Sequence, residues 1–281
     1  MRTARLLVLA LLAVAPVARA GDDAEAMRKA SALWREVFGP GRQPSILARN
    51  ELFKEAGLSY QGSLTVPLGG SYSCRSESQL RVLSGMLAFD ASYAVMFGRR
   101  KEFFDTVQFL TSDIGQRVDG MDALPLPVAV RGLRKALAED FSNEETLKSY
   151  ADQGRKQLGI LVEKAATDPL AMTMLMDYWY GWSVQGLYVA SSLAQTAEGG
   201  DELARLFNRQ MQNSQQLEKL YSALEGTQLG KRLSQPDRSS LFRAVSELIR
   251  SKQGAMGRKD FRTLLGLVQG PRSELVRPCT K

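Results

Sequence analysis

Residues 174–194, MLMDYWYGWSVQGLYVASSLA, constrain the fold more than any other stretch of the chain. They hold two of its three tryptophans and three of its eight tyrosines. At about 100° per residue, Leu175, Trp179, Trp182, Gly186, Val189 and Leu193 share one helical face about 80° wide. Met176, Tyr180 and Leu187 cover a second face. Asp177, Gly181, Gln185, Tyr188 and Ser192 form a narrow polar stripe. A helix apolar on nearly every side must be surrounded, by other helices or by lipid. Lipid is disfavoured, because an Asp within a span costs roughly 2.5–3.5 kcal/mol. The stretch also follows Asp168-Pro169, an N-cap with proline at the first helical position. It is therefore predicted to be the central helix of a bundle, with Gly181 and Gly186 admitting close neighbours.

The remaining pattern supplies those neighbours. DDAEAMRKASALWREVF (22–38) has an acidic start and helical apolar spacing, and Ser45 opens a short helix to about Ala56. Residues 57–75 carry four glycines, a proline and several hydroxyls, which predicts a long loop with a strand-like piece at Leu64-Thr65-Val66. Ser76 with Gln79 forms a capping box for a helix ending near Phe97, with Gly98 at the turn. A return helix is expected to start in RRKEFFDTVQFLTSDIGQRV. Pro125 and Pro127 precede another, and Ser142 with Glu145 reads as a second capping box. Helices over 201–224, in DRSSLFRAVSELIRSKQ and in RKDFRTLLGLV complete the set, and Gly270-Pro271 is expected to release the tail. No alternating strand pattern is sustained. The predicted fold is all-α: a bundle or short solenoid of about nine helices in antiparallel hairpins, one domain over residues 21–281.

The start of the chain predicts a compartment. Arg2 and Arg5 precede the apolar run Leu6–Val14, and Ala18-Arg19-Ala20 forms a small-x-small cleavage site, the pattern of a secretory signal peptide. A periplasmic or secreted product is expected. Loss of Arg2, Arg5 and Arg19 lowers the formal charge from +7 to +4. Twelve Lys or Arg against four Asp or Glu follow Gly226, a local +8 that leaves residues 21–225 at −4. Export and modest charge speak against nucleic acid. The basic segment 226–281 instead suggests contact with an anionic surface. Cys74 and Cys279 lie in no CxxC motif and are expected to pair in an oxidising compartment, tying the tail to the loop around residue 74.

The chain has no histidine. That excludes Ser-His-Asp and Cys-His nucleophile systems, HExxH zinc sites and CxxCH haem attachment. No Walker, Rossmann or EF-hand pattern is present, and neither a cofactor nor a metal is predicted. Glu144/Glu145 and Asp22/Asp23 stand at helix starts, where they complement the dipole.

FDASYAVMFGRRKEFFDTVQFL (89–110) resembles a degenerate tetratricopeptide-type hairpin through Ala91, Ala94, Gly98 and Val107, although Phe103 replaces a small residue and no copies recur at the repeat's period. FDASYA (89–94) is also similar to VQGLYV (184–189). GAMG (254–257) and GLVQ (266–269) are similar to fragments of lytic transglycosylases. Here they are separated, and the nearest upstream acid, Glu247, precedes Leu248 rather than Ser. As a whole the chain resembles exported all-α bacterial proteins without an assigned activity.

The candidate ligand-binding residues are Asp90, Tyr93, Asp177, Gln185 and Tyr188, a carboxylate-tyrosine-amide set suited to a cationic or hydroxyl-rich ligand. The leading functional expectation is a non-catalytic envelope protein that binds a protein or peptide partner. Small-ligand binding at the polar stripe is the alternative, and a carboxylate-dependent, cell-wall-active enzyme is third.

Overall fold

The computed structural model describes residues 23–36, 57–120, 124–196, 214–233, 238–252 and 256–279. The expected signal segment with its cleavage near Ala20, and the helix predicted from Ser45, lie outside these residues. Ten α-helices occur among them, and no strand. In chain order they are α1 (23–36), α2 (Glu77–Met96), α3 (Arg100–Phe109), α4 (Pro125–Glu139), α5 (Glu144–Ala165), α6 (Pro169–Thr196), α7 (214–224), α8 (Gln228–Leu233), α9 (Arg238–Ser251) and α10 (Arg258–Val276).

Helix starts follow side-chain chemistry. Ser76 accepts a hydrogen bond from the Gln79 amide at 3.3 Å, and the Gln79 side chain accepts from the Ser76 amide at 3.0 Å, completing the box that opens α2. Asp168 accepts from the amides of Leu170 and Ala171 at the start of α6. At α5 the cap is Asn143, which accepts from the Thr146 amide at 2.9 Å. Ser142, the expected cap, instead turns back to Asp140. The short asparagine side chain one residue later is placed to reach the first free amides.

Three other expectations change. Leu64-Thr65-Val66 forms no strand: Gly62–Leu64 is one turn of 3-10 helix. The return helix α3 gives way to a π-helical turn, Leu110–Ile114. The last helix does not stop at Gly270-Pro271 but continues to Val276 with Pro271 inside it. Proline there lacks an amide hydrogen and crowds the carbonyl four residues back. Burial of Arg272 and Val276 beyond it outweighs that local cost.

The buried apolar side chains form one connected cluster with α6 at its centre. Helices α2, α5 and α10 pack on α6, and Trp34 of α1 meets Trp179 edge to face at 5.5 Å. No helix among the described residues is long and apolar enough to cross a membrane. Helices α2 and α6 are distant in sequence yet run parallel, because Arg81 meets Asp177 and Asp90 meets Gln185 at nearly constant separation. They touch backbone to backbone. A Cβ on Gly85 would lie 1.8 Å from the Tyr178 carbonyl oxygen, and one on Gly181 would lie 1.8 Å from that of Val82. Only glycine at both positions permits this approach.

Candidate functional site

The close α2–α6 contact aligns polar side chains of the two helices at separate levels. At the first level Asp177 is completely buried. Its Oδ1 accepts from Arg238 Nη1 at 2.5 Å and from Ser78 Oγ at 3.1 Å, and its Oδ2 accepts from Arg81 Nε at 2.9 Å. Arg81 also reaches Glu77 at 2.6 Å, one turn back toward solvent. The Arg238 guanidinium lies 4.6 Å over the Tyr180 ring. The side chains of Arg81 and Arg238 are only 8% and 4% exposed, so two buried cations converge on one buried carboxylate.

The second level lies about 12 Å further along α6, eight residues at the helical rise. Asp90 Oδ1 accepts from Gln185 Nε2 at 2.6 Å, and Oδ2 accepts from the Val66 amide at 2.8 Å. Gln185 Nε2 also donates to the Leu64 carbonyl, while Gln185 Oε1 accepts from Arg272 Nε at 2.8 Å. That last bond fixes the amide orientation, since Arg272 can only donate. Arg272 Nη2 donates to the carbonyls of Leu64 and Thr65, and its guanidinium sits 3.9 Å over the Tyr188 ring. Burial pushes the Asp90 carboxyl up to about 7, against the opposing pull of the Val66 amide, Gln185 and Arg272. Burial likewise lowers the Arg272 guanidinium from its ordinary value.

Tyr93 stands one turn beyond Asp90 on α2. Its hydroxyl accepts from the Gln61 amide at 3.0 Å, and its ring stacks on Tyr60 at 4.8 Å. Burial raises its phenol to about 12. Asp90 and Tyr93 thus both hold the 57–75 segment by its backbone.

The far end of that segment is fastened to the end of α10. Cys74 and Cys279 form a disulfide, and the Cys279 amide donates to the Ser71 carbonyl at 2.7 Å. The Tyr72 hydroxyl donates to the Val276 carbonyl at 3.1 Å. Arg75 donates to the carbonyls of Glu274 and Arg277, a cation at the negative end of the helix dipole.

The five residues of the polar stripe and its α2 partners therefore do not surround one space. Asp90, Gln185 and Tyr188 meet around Arg272; Tyr93 holds the same loop nearby; Asp177 belongs to a separate cluster. Sequence reasoning missed Arg81, Arg238 and Arg272. Arg81 did carry a signal, a lone cation inside the apolar run LRVLSGML, which requires a buried counter-charge. Arg272 was hidden behind Pro271. Among the described residues no group of three or more Cys, Asp or Glu is placed to hold a metal ion. Glu247, the acid nearest the transglycosylase-like fragments, is exposed on the surface of α9.

Chemically, both levels are saturated. Each carboxylate oxygen named above already accepts at least one hydrogen bond, and both ends of the Gln185 amide are engaged. Such networks select one helix register and hold a loop in place. Comparison with known proteins adds no constraint: no family model, no curated protein and no solved structure matches the chain.

Proposed function

We propose that this chain is a non-catalytic, exported helical protein of the cell envelope that binds a protein or peptide partner through its outer surface. The observation that carries this reading is the mutual saturation of the polar groups in the Asp177 and Asp90 clusters. Asp90 and Asp177 sit on different levels rather than facing one another, and each is committed to arginines, amides or hydroxyls of the chain itself. Paired carboxylate catalysis needs two carboxyl groups flanking one space. An interior ligand would have to displace these bonds and leave buried charges unpaired. The disulfide fits the oxidising compartment that the N-terminal sequence predicts.

A partner surface is expected where large apolar side chains meet solvent. Ile160 and Leu170 are 52% and 50% exposed, and both lie within about two turns of the α5–α6 connection. The test is affinity capture from envelope extract with the wild-type chain and with Ile160→Asp/Leu170→Asp. A protein retained by the wild type and lost from the variant supports the reading. Capture that is identical for both, or no captured protein, overturns it.

A further inference from the structure

We propose that the outward face of α10 is a docking face for the headgroups of an anionic phospholipid surface. Arg258, Lys259, Arg262 and Arg277 fall within about 100° of one another around the helix and extend over roughly 28 Å of its length. All four are exposed. The other fully exposed positions of the helix are Thr263, Gly266, Gln269, Gly270, Ser273 and Glu274, so no apolar side chain of the helix is fully exposed. A Cβ on Gly266 or Gly270 would meet nothing within 4 Å, so the face between the cations is low and open.

Several surface cations elsewhere have an acid one turn away, as in Arg99–Glu102, Lys101–Asp105, Arg155–Asp152 and Lys164–Asp168. On α10 the residues one turn from Arg262 are Arg258, Lys259, Leu265 and Gly266. Like charges at that spacing destabilise a helix by a few tenths of a kcal/mol. Asp260, the acid within this group, is turned away and held by Lys252 at 3.0 Å and by the Gly257 amide at 3.0 Å. Glu274 lies at the edge of the face.

The inner side of the helix is braced on the core by Phe261, Leu264, Val268, Arg272 and Val276, and its end is pinned by the disulfide. The backbone that carries the cations is therefore held in place. Three cations clustered at the start of the helix and a fourth just past its end suit a plane of phosphates. The absence of fully exposed apolar side chains on the helix points to contact at the headgroups without insertion. Each cation near such a surface contributes about 1 kcal/mol, screened by salt. This inference does not rest on the partner surface near Ile160 and Leu170.

The test is co-sedimentation of the full chain with vesicles of phosphatidylglycerol in phosphatidylcholine, against phosphatidylcholine alone. The neutral vesicles gauge any binding that needs no anionic lipid, including that of the apolar N-terminal stretch. The anionic vesicles should bind the wild type more tightly, and raising salt from about 50 to 300 mM should release it. Lys259→Gln/Arg262→Gln should weaken the anionic component about 30-fold, the ~2 kcal/mol of two cations. Arg131→Gln/Arg134→Gln, which removes the same charge from exposed positions on α4, should change it by less than about twofold. Circular dichroism of each variant checks that it is folded. No preference for anionic vesicles, an unchanged Lys259/Arg262 variant, or equal loss in both double variants would overturn the proposal.

Discussion

Replacing Gly181 with alanine tests the central packing contact with a sign that intrinsic propensity alone gets wrong. In a helix interior, Gly→Ala ordinarily stabilises by about 0.5–1 kcal/mol. Here the new Cβ would lie 1.8 Å from the Val82 carbonyl oxygen and 3.1 Å from the Met86 amide nitrogen, below or at the closest approach real Cβ atoms show. Both obstacles are backbone in the middle of α2, so no rotamer change relieves them. The helices must separate, loosening the side chains packed along both flanks. Overpacking costs about 1–3 kcal/mol where side chains can yield. With backbone on both sides, a net loss of at least ~3 kcal/mol is expected. At about 2–4 °C per kcal/mol for a chain near this size, the Tm falls by about 6–12 °C. Gly85→Ala should behave alike, because its Cβ would meet the Tyr178 carbonyl oxygen at 1.8 Å. Gly266→Ala, in open space on α10, should gain up to ~1 kcal/mol. The assay is urea unfolding followed by far-UV circular dichroism. A Gly181→Ala chain as stable as the wild type, or a Gly266→Ala chain destabilised as much, would refute the argument.

Two further outcomes follow from the buried networks. Asp177→Asn leaves the Arg238 guanidinium without its counter-charge and Arg81 with only the half-exposed Glu77 and should cost about 3–5 kcal/mol, measured by urea unfolding. Adding Arg81→Met and Arg238→Met should restore much of that loss, whereas a triple variant no more stable than Asp177→Asn would contradict the charge argument. At the second level the Asp90 carboxyl titrates near 7 in the fold, above its ordinary 3.8. The folded chain therefore holds this proton more tightly than the unfolded one. The contribution is fully present below about pH 4 and is lost as pH rises through about 7, by at most ~4 kcal/mol. Asp90→Asn should be less stable than the wild type at pH 4, with a gap that narrows towards pH 8; a constant or widening gap would count against burial as the cause.

The sequence carried the helices because their signals are local. Ser76-Gln79, Asp168-Pro169 and Gly98 act over three or four residues, within reach of pattern reading. The disulfide was legible too, since two cysteines expected in an oxidising compartment leave few alternatives. The polar stripe was legible in angle but not in height. Asp177 and Gln185 are eight residues apart, which brings them close to one direction around the axis while separating them by about 12 Å along it. A helical wheel keeps the first coordinate and discards the second. Arg238 and Arg272 could not be assigned because their partners lie 61 and 87 residues away. The Pro271 stop failed for a related reason: a local backbone rule was outweighed by contacts made across the fold.

The glycine contact between α2 and α6 has a symmetry of its own. Gly85 faces the backbone of Tyr178 and Trp182, and Gly181 faces that of Val82 and Met86, so adding 96 to the residues of one contact yields the other. That is the reciprocity of an isologous interface, the kind two identical subunits make about a two-fold axis. In a true homodimer, a residue on the axis can only meet its own copy, and a buried charge there meets its like. Within one chain the two sides are free to differ. Position 81 falls opposite position 177 on this axis, and the residues there are arginine and aspartate, bonded at 2.9 Å. A covalently joined pair of helices can thus bury a salt bridge at a place where two identical subunits would bury a repulsion.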